Sequence, residues 1–324
     1  MSGRLGTAPC TATSPDVPKK AVIGHTCGHF LPSSLFNGST VNAVLFEAEG
    51  SAHNTASVVP VPLSHTRLAA LDIIEGALAW RLWGSLGWQD IRQRYRRSKI
   101  GPFWVTLSMG VMIGGMGFLY ADLFHTDVHT YLPYLTVGLI FWGLIGPLVT
   151  ENCNAFIDGE GIIKHVKLPL SLHVYRVVWR NLIILGHNFL IWILVALVFK
   201  VWPGWGGLLA IPGLLIICIN GVSAGLLWGV ISARFRDVPQ IVGSVMQIAF
   251  FMTPIMWQPS AVSGHQLFLK LNPFSYFVDL VRQPLLDGES NIESWKWALT
   301  ITAVGWIVAF LMYRRCRWRI AYWL

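Results

Sequence analysis

Six stretches of the chain, residues 102–124, 132–150, 177–199, 207–231, 241–258 and 295–313, stay apolar for about the 20 residues that a helix needs to cross a bilayer core of about 30 Å, with no charge at their centres. Six transmembrane helices are the prediction. Ahead of the first, a helix over residues 80–95 sets Trp80, Trp83, Trp88, Ile91 and Tyr95 on one face and gathers Arg81, Arg92, Arg96 and Lys99 on its flank. Such a helix lies in the membrane interface, its aromatics in the headgroup layer and its cations facing anionic lipid. A surface anchor is the simpler reading of this pattern; a docking surface for a cytosolic partner is the sharper one. Helical periodicity begins at about Arg67, in LAALDIIEGALAW.

Two connections depart from ordinary loops. In GEGIIKHVKLPLSLHVYR, a Gly turn, a short apolar and basic helix and a stop at Pro169 suit a helix lying flat against something. A solvated loop tethered to lipid by Ile162, Ile163 and Val166 fits equally well, so both readings stand open at this point. The connection HQLFLKLNPFSYFVDLVRQPLLDG is too apolar for a plain loop and is interrupted by Pro273 and Pro284, which predicts one or two re-entrant or interfacial helices. The opening residues scatter Gly, Pro, Ser, Thr and His without period and are expected to be a mobile, dispensable tail or an extension upstream of the true start. No signal-peptide pattern is read in them. Their Cys10, His25, Cys27 and His29 lack a second ligand pair of structural type, so no metal site is assigned there.

Charge then orients the chain. Arg81, Arg92, Arg94, Arg96, Arg97 and Lys99 precede the first stretch, Lys164, Lys167, Arg176 and Arg180 follow the second, Arg234 and Arg236 follow the fourth, and Arg314, Arg315, Arg317 and Arg319 follow the sixth. The alternate connections hold only Lys200, Lys270, Arg282 and Lys296, so both termini are expected in the cytoplasm. Only 12% of the 324 residues are charged, about half the roughly 25% of a soluble domain, and 54% are hydrophobic. The net charge of +8 follows from this topology, and no nucleic-acid-binding motif accompanies it. Five cysteines without paired spacing give no disulfide framework.

The chemistry available narrows the function. No GxxxxGK[ST] loop is present to cradle nucleotide phosphates, so any energy must come from elsewhere. The stretches carry no central carboxylate or cation of the kind an ion-coupled carrier needs. Their deep polar residues, His187, Asn188, Asn220 and Gln247, are assigned to interhelical hydrogen bonding before proton relay. Asp122, His125, Asp127 and His129 in ADLFHTDVHT invite an enzyme reading, a membrane glycosyltransferase acting on lipid-linked sugars, but a ten-residue connection leaves little room for an acceptor site and reads as a solvated turn. Aromatic faces tolerate different sugars, so Phe141, Trp142, Phe250, Phe251 and Trp257, with Phe274, Tyr276 and Phe277 outside, are candidates for lining a polymer conduit; helix packing and lipid belts are the alternative for each.

In chain order, DIRQRYRRSKIGPFW, ENCNAFIDGEGIIKHVKLPLSLHVYR, ARFRDVPQIVGSVMQ, FFMTPIMW, LNPFSYFVDLVRQPLL and the closing RIAYWL together resemble the permease subunits of polysaccharide-exporting type-2 ABC transporters. The resemblance runs from about Arg67 to Leu324 and implies an all-α integral membrane fold of six spans, in three regions: an extension over 1–66, an interface region over 67–101 and a permease domain over 102–324. It implies a bacterial inner-membrane homodimer exporting lipid-linked O antigen or capsular polysaccharide; a multidrug or small-lipid exporter is the alternative. The chain is then no enzyme: two separate ATPase subunits bind ATP and Mg, and this chain holds no cofactor or metal. Asp90, Arg94, Tyr95, Arg97 and Ser98 are implied in the interface helix, with Gly101, Pro102 and Trp104 in the turn after it. Residues 160–169, with Glu160, Gly161, Ile162, Ile163, Lys164, His165, Lys167 and Pro169, are implied as the helix coupled to the ATPase. Residues 267–286, with Pro273, Phe274, Tyr276 and Phe277, become the external gate, and the first and fifth spans of two copies line the conduit.

Overall fold

A computed structural model describes residues 64–96, 101, 103–259 and 270–324. The expectations for the amino-terminal residues through 63, for Arg97, Ser98, Lys99 and Pro102, and for residues 267–269 lie outside the described residues. Among the described residues the protein is all-helical, with α1 (His65–Leu78), α2 (Trp80–Arg94), α3 (Phe103–Leu123), α4 (Val128–Cys153), α5 (Ala155–Asp158), α6 (Glu160–His165), α7 (Ser171–Phe199), a 3₁₀ stretch (Gly204–Leu209), α8 (Ala210–Arg234), α9 (Val238–Met252), α10 (Pro273–Leu286) and α11 (Ile292–Trp323). Five of these segments are long and apolar enough to cross a membrane: α3, α4, α7, the 3₁₀ stretch continued by α8, and α11.

The predicted fifth span is different. Residues 241–258 do not form one helix: α9 has 15 residues, about 22 Å at 1.5 Å each, and stops at Met252. Thr253 precedes Pro254, whose ring disfavours helical backbone before it, and Thr253 is accordingly extended at φ −83° and ψ 139°. Prolines act differently elsewhere. Pro273 opens α10 at its first turn, where no N–H is needed, and Pro284 is accommodated inside α10, so only one of the two predicted interruptions lies at a helix boundary.

α4 forms the centre of the bundle. Within its most apolar window 72% of residues are buried, against 11% for α3 and for α11, so most of the surface of those two faces outward. Leu135, Val137, Leu144 and Leu148 of α4 pack with Val174 of α7, Leu226 and Val230 of α8 and Val278 and Val281 of α10. Close approach of helices in a membrane depends on small residues. At Gly225 a Cβ would lie 2.4 Å from Val174 and 2.7 Å from Asn152, so only glycine lets α8 come this near α7 and α4. Asn220 of α8 donates to Thr302 of α11 at 2.6 Å, an interhelical bond of the expected kind. His187 instead bonds the carbonyl of Ile183 in its own helix, and Gln247 is exposed.

Candidate functional site

The segments that carry the cations meet at one end of the bundle, and a carboxylate holds them. Asp72 is on the inward face of α1 with Ala69 and Gly76, at 2% exposure. Its carboxylate accepts the backbone N–H of Leu170 at 3.1 Å and of Ser171 at 3.0 Å, the Tyr313 hydroxyl at 2.6 Å, and Nε and Nη2 of Arg317 at 2.9 and 2.6 Å. The two N–H groups belong to the start of α7, where no intrahelical acceptor exists, so Asp72 caps α7 from another helix. Ser171 Oγ returns a bond to the Asp72 carbonyl at 2.6 Å. One side chain thus joins α1, the end of the segment after α6, and α11.

A second network ties α2 to the bundle. Asp90 accepts a two-pronged bond from Arg176, with Nε at 2.7 Å, and a third from Arg180 Nη1 at 3.1 Å. Arg180 Nη2 reaches Glu151 of α4 at 2.8 Å; Glu151 also accepts Asn181 at 2.8 Å and Arg94 of α2 at 3.4 Å. Planar guanidinium groups suit such forked bonds to carboxylates. Trp83 packs edge-on against Trp179, and Gly87 fits against the same ring. The face predicted for α2 is therefore split: Ile91 is buried and Trp83 is packed, whereas Trp80 and Trp88 are exposed. Of the interface residues implied by the resemblance, Asp90 and Arg94 enter the network and Tyr95 caps α2; Arg97 and Ser98 lie outside the described residues.

Between α4 and α7 the chain makes two short helices. Gly159 separates them with its α-carbon against the His173 ring, where a Cβ would sit at 2.5 Å, so the turn is pressed onto α7. α6 follows over six residues, and Val166 after it is extended. Ile163 packs toward the core, while Gly161, Lys164, His165, Val166 and Lys167 are exposed. Lys164 pairs with Glu160 at 2.6 Å and holds the glutamate below the usual carboxylate range. The result is a flat helix with one edge anchored and one edge presented, five residues before the Asp72 cap at Leu170.

At the other end, the break after α9 frees carbonyls that side chains then satisfy. Tyr131 donates to Met256, Tyr134 to Pro254 at 2.9 Å and to Trp257 at 3.3 Å. Arg282 of α10, 3% exposed, donates from Nη1 to Pro254 at 2.7 Å and to the Tyr134 hydroxyl at 2.8 Å, with its guanidinium 3.9 Å from the Tyr134 ring centre. Irregular backbone at membrane depth is tolerated only when protein groups pair it in this way. Asn272, capping α10, donates to Thr253 at 3.0 Å.

The aromatic candidates divide. Phe141, at 3% exposure, is packed in the core of the chain. Trp142 contacts Phe250 at 5.7 Å and Phe274 at 5.5 Å, Phe250 contacts Phe251 at 5.3 Å, and Phe251 is exposed. Trp257 donates to the Phe251 carbonyl at 3.1 Å. Tyr276 stacks on Trp297 and donates to Lys270, and Phe277 is buried. Asp127 caps α4 by accepting the His129 N–H, and among the described residues no group of three or more His, Cys, Asp or Glu is arranged to hold a metal. Asp72 and Arg282 were hidden by their distant partners. The signal for Asp72 was positional, since it falls three residues after Ala69 and four before Gly76 on the small-residue face of α1.

The family model described as ABC-2 type transporter matches residues 81–286, more than half of the chain. The chain is 24% identical over 192 residues to the O-antigen export system permease protein RfbA of Myxococcus xanthus, covering 58% of this chain and 74% of that protein. It is 22% identical over 239 residues to the O-antigen export system permease protein RfbA of Klebsiella pneumoniae, covering 72% of this chain and 91% of that protein.

Proposed function

The chain belongs to the ABC-2 type transporter family, as a multi-pass membrane subunit that is not itself catalytic, and from that premise we propose that it is the permease of an ATP-driven exporter of lipid-linked polysaccharide, O antigen or capsule, in the bacterial inner membrane. The substrate class rests on the names of its relatives. The partner arrangement, a permease homodimer with two cytosolic ATPase subunits that bind ATP and Mg, follows the family pattern.

The observation that carries the coupling is α6: an exposed edge of Gly161, Lys164 and His165 on a helix wedged against His173 and leading directly to the Asp72 cap. In this reading, closure of the ATPase pair pushes α6 and α2. The push at α6 reaches α1 and α11 through Asp72; the push at α2 reaches α7 and α4 through Asp90, Arg176, Arg180 and Glu151. Coupling needs such an element shared by the docking surface and the moving parts. α4 in turn holds the residues after α9, and α10, by Tyr131, Tyr134 and Arg282, so its tilt moves the gate built on Pro273, Phe274, Tyr276 and Phe277. The sixth crossing is α9 continued by residues 253–258, and Phe250, Phe251 and Trp257 are the aromatics assigned to the conduit together with Trp142. Both termini are assigned to the cytoplasm, with 67–101 as the interface region.

Proteoliposomes holding the permease and its ATPase test this reading. ATP-dependent movement of a lipid-linked glycan is expected, and Gly161→Glu with Ile162→Glu should insert normally yet lose the ATP stimulation. Export unchanged by the pair of substitutions, or undiminished without any ATPase, would overturn it.

A further inference from the structure

Beyond the transport pathway, α11 and the start of α1 enclose a second chemically distinct place. Leu311, Arg314, Arg315, Trp318 and Arg319 recur at three- and four-residue spacing and so share one face of α11, opposite the face that sends Tyr313 and Arg317 to Asp72. With His65 and Thr66 they line a cleft of about 730 Å³. Among the described residues no carboxylate lines it. Arg314 donates to Thr66 at 3.2 Å, and Arg319 lies 4.5 Å over the Trp318 ring; Arg315 and Arg319 form no ion pair among the described residues. Three cations on one helix face, with no counter-charge beside them among the described residues, call for an anion.

The same helix face says which anion. Towards the middle of α11 it continues as exposed Leu311, Val308, Ile307 and Val304. From Arg315 back to Val304 is about 16 Å at 1.5 Å per residue, close to the roughly 15 Å depth of one leaflet's hydrocarbon. Trp318 is 62% exposed beside the arginines, at the level where tryptophan sits among headgroups. A free phosphate or an acidic protein surface would use the cations and leave the apolar stripe unused. We propose that this face of α11 with the start of α1 is a binding site for an anionic phospholipid, its phosphate on Arg314, Arg315 and Arg319 and an acyl chain along Leu311, Val308 and Val304. Basic pockets at the ends of membrane helices bind such headgroups, at a gain of about fivefold per cation.

The full chain in nanodiscs of phosphatidylcholine, titrated with labelled phosphatidylglycerol, tests the site. Arg314→Gln, Arg315→Gln and Arg319→Gln together should weaken binding about a hundredfold, while Lys167→Gln, Arg234→Gln and Arg236→Gln, which remove equal charge from exposed positions after α6 and at the end of α8, should change it less than threefold. Replacement of the first three by Lys should recover most of the affinity, since the charge is retained. Millimolar inorganic phosphate should leave the lipid bound. Equal losses in the two charge-matched triples would reduce the effect to bulk surface charge and overturn the proposal, as would displacement by phosphate. Loss of ATPase co-purification with lipid binding intact would assign the cleft to a protein partner instead. Should the triple fail to fold, Arg315→Glu alone, at an exposed position, is expected to abolish retention of phosphatidylglycerol in native mass spectrometry; unchanged retention would count against the site.

Discussion

At the basic end of the bundle Asp72 takes five hydrogen bonds from α7 and α11, and Asp90 and Glu151 share three arginines between them; at the other end Arg282 donates to one hydroxyl and one carbonyl and forms no ion pair among the described residues. The difference is one of connectivity. A carboxylate with donors from several helices fixes those helices relative to each other, which suits a region that transmits a push. A cation that satisfies one carbonyl released by a broken helix holds that break loosely, since Nε and Nη2 of Arg282 are buried without a hydrogen-bond partner among the described residues. Such an arrangement suits a part that moves.

Removing the carboxylate should separate the two ends most. Asp72→Ala leaves the Tyr313 hydroxyl and two N–H groups buried and unpaired beside the half-buried Arg317 guanidinium, so a loss of about 3–5 kcal/mol is expected, with Asp72→Asn less severe. Thermal unfolding in detergent measures it; a shift no larger than that of a surface variant would remove the claim that Asp72 anchors the transmitting end. Arg282→Ala should cost about 1.5–3 kcal/mol, and hydrogen exchange should quicken over α10 and the α9 break while α1 stays protected. Arg282→Lys is not expected to restore protection, because an ammonium lacks the planar fork and the stacking on Tyr134. If α1 loosens as much as α10, the two ends are a single cooperative unit and the contrast fails.

Smaller effects sharpen the comparison. Tyr134→Phe should cost about 1 kcal/mol, because Pro254 keeps its bond from Arg282. At α6 the Glu160–Lys164 pair is exposed and couples nothing: Glu160→Gln should leave the melting temperature unchanged. Because Lys164 lowers the pKa of Glu160, the small contribution of the pair is present above the ordinary glutamate value of about 4.3 and fades as pH falls through the lowered one. A pH-dependent melt at neutral pH that disappears in Glu160→Gln would show that α6 is more tightly built in than its exposure implies.

The long apolar runs made five of the segments legible from sequence, since length and lack of charge are what crossing a membrane demands. Boundaries were less so: α7 begins at Ser171 and α11 continues to Trp323, because charged turns extend helices beyond the hydrocarbon layer. The helix of the fifth stretch is shorter than the stretch itself because Thr253 must be extended before Pro254, which composition alone does not register. At the site, α6 was visible from its Gly turn, although it ends at His165, four residues ahead of Pro169. Asp72 was not: its hydroxyl partner is 241 residues away, and a carboxylate in an amphipathic helix reads as solvent-facing until the fold brings that partner near. Arg282 was counted among the external loop cations, although it is buried. Phe141 is buried in the core of the chain, a placement that aromatic type alone does not reveal.

The central claim is that a separate ATPase grips α6 and supplies the motion. Capture of that ATPase by the tagged permease, comparing the native chain with Gly161→Glu and Ile162→Glu, measures it directly. The native chain should retain the ATPase and the substituted chain should lose it at least tenfold while remaining in the membrane at full level; equal capture by both would contradict the account.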